Sequence, residues 1–314
     1  MEIREHPVID TNFLLASNEI NRICKIAMDK IFMRRTGVIF YGPSRLGKTG
    51  CSCVLQDCLS KYSPKVYCNR VVVVNREGQK YTNIGLQLAT LEGYQKKSRD
   101  TRWDVLNYLT DRIIVRVREH GCNQYVCIID EFQRLKGGDL YQLVDLYNLL
   151  DQESVKMTVV SFAMPEVVDL REELFGIEQR QIISRLMSEL IEFKGCSDVK
   201  DLAVILRGYD LQTEYPEGSG ISFTCSFFPT AFASGFRLES YCELMWMCMN
   251  SYASGVYVKN LPMEHILATL RYLLNSYSEN DSEDFKLSES MVCEAIEASS
   301  FKDFCKVSGR RGGE

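Results

Sequence analysis

Positive charge is in the minority in this chain. There are 37 Lys and Arg against 42 Asp and Glu, a formal net charge of −5. A protein with that balance repels nucleic acid on average, so DNA contact needs a local basic surface, multiplied by assembly. No apolar run approaches the roughly 18 residues of a spanning helix, which argues against membrane insertion. The opening MEIREHPVID has no secretory apolar core, so a cytoplasmic protein is expected. Histidine is scarce, with His6, His120 and His265 only, and there is no pair of CxxC clusters. A structural zinc site therefore has little to work with. The 13 scattered cysteines read as small buried hydrophobes of a reduced chain. Internal repeats are absent too. What remains is an ordinary globular composition, 46% hydrophobic and 25% charged over 314 residues, enough for one large domain or two modest ones.

The hydrophobic pattern alternates between two periods. Ile20, Ile23, Cys24, Ala27 and Ile31 make one helical stripe over 18–35, with Asn18 as expected N-cap. Strands buried on both faces are expected at 38–41, 71–74, 125–129 and 157–161, with a fifth at 190–193. Helices are expected between them: after 49, at 82–92, 101–119 and 140–150, and from Pro165 onward. Strands alternating with helices predict an α/β fold with a parallel five-stranded sheet flanked by helices. From about 210 to 230, Pro216, Gly218, Gly220 and Pro229 predict an irregular linker. Three helical segments follow, near 237–253, 262–277 and 287–299. The expected organisation is an N-terminal segment and helix (1–36), an α/β nucleotide-binding domain (37–209), the linker (210–230), a helical lid (231–300) and a flexible tail (301–314) carrying Arg310 and Arg311.

The strand at 38–41 runs into Gly42-Pro43-Ser44-Arg45-Leu46-Gly47-Lys48-Thr49, a complete GxxxxGK[ST]. Such a loop wraps a polyphosphate with its own amides, and the helix it opens points its positive end at the same place. Lys48 is suited to the β- and γ-phosphates, and the Thr49 hydroxyl to Mg²⁺; Gly50 extends the contact surface. The strand before it and the helix after it are the setting this mechanism requires. The run Val126-Cys127-Ile128-Ile129-Asp130-Glu131 places an acidic pair at the carboxyl end of another buried strand. Ligands of parallel sheets bind at such ends. Asp130 would hold Mg²⁺ and Glu131 would polarise the attacking water. The doublet favours a hydrolytic ATPase over a kinase, and there is no NKxD-like guanine reader.

Three further candidates are less specific. Ser161, at the end of its strand, could position the water beside the γ-phosphate; a serine with a merely local hydrogen bond would look the same. Arg185, then Arg180, are candidates to reach a neighbouring subunit's phosphoryl group, although helix arginines are usually solvated. Arg237, at the start of the lid, could touch the γ-phosphate or have no such partner. The stretch 94–103 gathers Lys96, Lys97, Arg99 and Arg102 with Tyr94 and Trp103, and Lys65, Arg70, Arg76 and Lys80 flank the second strand. These suit a nucleic-acid backbone, or are simply solvated loops.

Taken in order, these motifs resemble an AAA+ ATPase. Within that superfamily the chain resembles the TnsC/TniB transposition regulators, on His6-Pro7, the helix at 18–35, GPSRLGKT at 42–49, IIDEFQRL at 128–135 and ASGFRLESYCELM at the lid. SFAMPEV at 161–167 and the aromatic 210–230 depart from that pattern. The resemblance implies ATP and Mg²⁺ at subunit boundaries and homo-oligomers, ring or helical filament, on double-stranded DNA. It also implies partners in a transposase and a target-selector protein, with hydrolysis driving disassembly. A replication initiator, a helicase loader and a nucleotide-switch signalling ATPase are the alternatives. The initiator class usually adds a DNA-reading domain, and the signalling class a long sensor array.

Overall fold

The computed structural model describes residues 5–11, 13–62, 65–75 and 83–308. Arg76, Lys80, Arg310 and Arg311 lie outside the described residues. The chain divides into two compact units: Arg22–Pro43 with Lys48–Phe193, and Met1–Asn21 with Ser44–Gly47 and Lys194–Glu314.

The first unit is built on a parallel sheet of five strands, β1 (Gly37–Tyr41), β2 (Tyr67–Val72), β3 (Gln124–Asp130), β4 (Lys156–Ala163) and β5 (Leu190–Glu192), in the order β2-β3-β4-β1-β5. Every residue of β3 is buried, as its near-continuous apolar run predicts for an inner strand covered on both faces. β2 begins at Tyr67, four residues before the expected start. It is an edge strand, so Cys68 and Arg70 stay half-buried and break the apolar run that marks inner strands. The helices Lys48–Tyr62, Ile84–Leu91, Arg102–Glu119 and Gly137–Gln152 all belong to this unit. Two short helices, Val167–Gly176 and Arg180–Leu186, lead into β5.

The expected cap of the first long helix is corrected. Ser17, not Asn18, caps it: the Ser17 hydroxyl accepts from the Ile20 N–H at 3.2 Å, while the Asn18 amide donates to Asp201 at 2.9 Å. A hydroxyl one residue earlier reaches the orphan N–H groups equally well.

The second unit is helical, with Val199–Arg207, Cys242–Tyr252, Met263–Tyr277, Glu289–Ala298 and Phe301–Ser308. The stretch 210–230 is less irregular than expected: a wide turn spans Gly208–Gln212 and helices Phe223–Phe227 and Pro229–Ala233 follow. Its aromatic residues pack around the N-terminal segment. The ring of His6 lies 4.7–4.8 Å from those of Tyr215, Phe223 and Phe227, and burial pushes its pKa down to about 4. His6 is therefore a neutral core aromatic at ordinary pH, which is one physical use for the His-Pro pair. The expected tail is helical through Ser308 because Phe301 and Cys305 are buried against the unit. No helix among the described residues is long and apolar enough to cross a membrane.

Candidate nucleotide site

The loop Gly42–Thr49 leaves the carboxyl end of β1, where the Gly42 N–H donates to the Ala163 carbonyl of β4 at 3.2 Å. Gly47 holds φ at +107°, a conformation that glycine enters without the steric cost of a Cβ. The helix Lys48–Tyr62 starts at once, so its unpaired N–H groups face the loop. Ser44 and Arg45 are fixed by residues of the second unit. The Ser44 hydroxyl lies 3.2 Å from the Tyr257 hydroxyl. Arg45 pairs with Glu264 and lies 5.1 Å from the Phe304 ring centre.

Lys48 is only 7% exposed. Its ammonium donates to the Gly42 carbonyl at 2.7 Å and to the Pro43 carbonyl at 2.5 Å, and lies 3.8 Å from the Met164 sulfur. Burial pushes its pKa from 10.5 down to about 8, against the pull of Glu131, Asp130 and Glu166. Holding that charge in the fold costs on the order of 3 kcal/mol, since each tenfold loss in proton affinity is worth about 1.4 kcal/mol. A polyphosphate would return the lost stabilisation.

Asp130 ends β3 and is 1% exposed. One carboxylate oxygen accepts from the Glu131 N–H at 3.0 Å. The other is buried without a hydrogen-bond partner, 4.0 Å from the Arg70 guanidinium. Burial raises its pKa, with the Thr49 hydroxyl and Arg70 pulling the other way. An unsatisfied buried carboxylate oxygen next to a threonine hydroxyl is an oxygen donor set that fits Mg²⁺, which keeps most of its waters and takes one or two protein ligands. Arg70, expected to contact a nucleic-acid backbone or to be solvated, instead turns inward onto Asp130 and the Ser52 hydroxyl at 3.3 Å.

Glu131 occupies the left-handed region at φ 63° and ψ 40°. A non-glycine residue held there costs of order 1–3 kcal/mol and persists only where its surroundings impose it. Its carboxylate accepts from the Gln133 amide at 2.9 Å and pairs with Arg134 at 3.1 Å. Gln133 carries no signal of its own in the sequence. Its amide oxygen also accepts from the Met164 N–H at 3.0 Å, so one side chain ties Glu131 to the end of β4. Met164 in turn touches Lys48. Gln133 thus bridges the turn after β3 and the end of β4, a link that only the β3–β4 adjacency reveals.

Ser161 lies within β4, opposite Ile39 of β1 and Ile129 of β3. Its hydroxyl is buried and unpartnered, three positions before the Met164 that meets Lys48. Arg185 folds back onto its own unit: its guanidinium lies 4.9 Å from the Tyr147 ring centre and one of its terminal nitrogens is buried. Arg180 is exposed at the start of its helix. Arg237, in the second unit, donates to the Phe232 and Phe236 carbonyls at 2.8 and 2.6 Å and covers the Phe232 ring. Lys96, Lys97 and Arg99 are exposed on a loop shaped by Asp100, which accepts from the Tyr94 hydroxyl and the Lys97 N–H, both at 2.6 Å, and Arg102 is exposed at the start of the helix that follows.

Residues 33–170 match the family model described as an AAA domain. The ORC2 protein of Aeropyrum pernix, solved in ADPNP and ADP complexes, superposes with a TM-score of 0.59 at 14% identity, covering 94% of this chain and 72% of that one. Domain III of the Thermotoga maritima replication initiation protein DnaA gives 0.46 at 14% identity, covering 93% and 96%. No curated protein matches the sequence. The fold is thus that of the AAA+ P-loop NTPases, α/β with a five-stranded parallel sheet and C-terminal helices.

The burial of Lys48 has a pH consequence. Below about pH 8 the free protein carries the ammonium that phosphates need; above it, binding must take up a proton. Nucleotide affinity is expected to be level from roughly pH 7 to 8 and then to fall by up to about tenfold per pH unit. Titration calorimetry from pH 7 to 9.5 checks this, and a flat profile contradicts it.

Proposed function

We propose that this chain is an ATP-hydrolysing regulator of DNA transposition, which oligomerises on duplex DNA and links a target-selector protein to a transposase. The observation that carries the enzymatic part is the convergence of Lys48, Thr49, Asp130 and Glu131 at the carboxyl ends of β1 and β3. The transposition part rests on the resemblance of the ordered motifs to the TnsC/TniB regulators. The AAA+ fold supports both without choosing between this role and that of an initiator.

In the proposed mechanism the loop amides and Lys48 hold the triphosphate. Thr49 and Asp130 hold the metal, which when bound would offset charge on the phosphoryl oxygens. Glu131, fixed by Gln133 and Arg134, orients the attacking water and accepts its proton. An arginine from the adjacent subunit completes the site, so turnover depends on assembly. Arg180 takes this role, because it is exposed whereas Arg185 is engaged with Tyr147. The exposed loop bearing Lys96, Lys97 and Arg99, with Arg102 at the start of the next helix, supplies phosphate contacts, which repetition along an oligomer makes strong and salt-sensitive. This reconciles DNA binding with a net charge of −5.

The test is electron microscopy of the full chain with duplex DNA, with ATP or ADP present. Ordered assemblies with ATP and few with ADP are expected. Monomers under both conditions at excess DNA would remove the DNA-assembly reading while leaving the nucleotide site intact.

A further inference from the structure

The second unit brings together three ligand-bearing side chains from two separate helices. The sulfurs of Cys248 and Cys293 and a carboxylate oxygen of Glu289 all fall within 4.8 Å of one another. We propose that these residues form a zinc site, with two thiolates and one carboxylate oxygen as protein ligands and water as the fourth.

The geometry follows from two packed helices. Glu289 and Cys293 are four residues apart on the helix Glu289–Ala298 and therefore share a face. Cys248 faces them from the helix Cys242–Tyr252. A tetrahedral zinc with bonds of about 2.3 Å to sulfur and 2.0–2.2 Å to oxygen places its ligand atoms about 3.5–3.8 Å apart. That is within the observed spread or a small contraction of it. Cys248 is 6% exposed while Glu289 is exposed, so the site is closed on its protein side and open to water on the other. Soft thiolates select zinc over the magnesium of the nucleotide site.

The surroundings favour a cation. The Tyr252 hydroxyl contacts Cys293 and donates to Glu297 at 3.2 Å. The Lys302 ammonium lies 5.6 Å from the Tyr252 ring centre. A bound dication deprotonates a coordinating thiol outright. Tyr252 and Glu297 then serve as outer partners of the Cys293 ligand. A plain disulfide would join the same sulfurs but would leave Glu289 without a role.

Binding releases the two thiol protons to solvent, and no oxidation occurs. Affinity is therefore expected to rise with pH. The experiment uses the full chain, chelator-stripped and kept reduced, titrated first with Co²⁺ and then with Zn²⁺. The expected result is one Co²⁺ per chain with a thiolate-to-cobalt absorption band, displaced by Zn²⁺, and a higher melting temperature with Zn²⁺. Cys248→Ser and Cys293→Ser are expected to lose the band, and Glu289→Gln to weaken binding by about tenfold or more. Cys58→Ser, in the other unit, is expected to leave it unchanged. Should Cys248→Ser fail to fold, Cys293→Ser and the exposed Glu289→Gln decide. Absence of stoichiometric uptake, a band that survives Cys293→Ser, or affinity indifferent to Glu289→Gln would each overturn the site.

Discussion

Glu131→Gln is expected to bind ATP as the native chain does and to hydrolyse it about 10²–10⁴-fold more slowly, the usual range for a lost general base. The substitution keeps shape but removes the group that accepts a proton. The remaining amide oxygen can still accept from Gln133 at the 2.9 Å position, so the strained turn at φ 63° should survive. Lys48, Thr49 and Asp130, proposed to hold the nucleotide and its metal, are untouched. Binding and turnover therefore separate in this variant, whereas Lys48→Ala should lose both. Single-turnover hydrolysis beside equilibrium nucleotide binding checks it. Native turnover in the glutamine variant would transfer the water-positioning role to another group.

Arg180→Ala is expected to leave nucleotide binding by isolated chains unchanged and to abolish assembly-dependent turnover, by about 10³–10⁵-fold if the arginine acts as neighbour-supplied fingers do. The large effect arises because the guanidinium meets charge that develops only as the phosphoryl group transfers. Arg185→Ala should behave differently. Its guanidinium lies over Tyr147, a contact worth about 0.5–2 kcal/mol. Its loss should lower thermal stability and leave the dependence of turnover on protein concentration in place. The reverse pattern, with Arg185→Ala stable but deaf to assembly, would return the role to Arg185.

The parts of this molecule legible in its sequence are those whose physics is local. The phosphate loop is contiguous, and its strand and helix flank it directly. Asp130 and Glu131 end a strand whose burial on both faces is written as four successive apolar residues. β2 is legible only at Val71 and Val72, because an edge strand need not be apolar throughout. Gln133 joins Glu131 to Met164, and that contact exists only because β3 and β4 are neighbours. The contrast between Arg180 and Arg185 depends on helix phase and on Tyr147, in a helix far earlier in the chain. The aromatic residues of 210–230 look like an irregular connection until the burial of His6 among them is seen. Cys248 and Cys293 have no ligand-like spacing in sequence, and only helix packing brings them together.

A triphosphate is proposed to hold copies of this chain together. Sedimentation velocity of the Glu131→Gln chain with ATP and Mg²⁺, with ADP and Mg²⁺, and without nucleotide tests it most directly, because hydrolysis no longer blurs the ATP state. Large species are predicted with ATP alone and small ones in the other two conditions, with Lys48→Ala small in all three. One sedimentation profile common to all three conditions would contradict the claim.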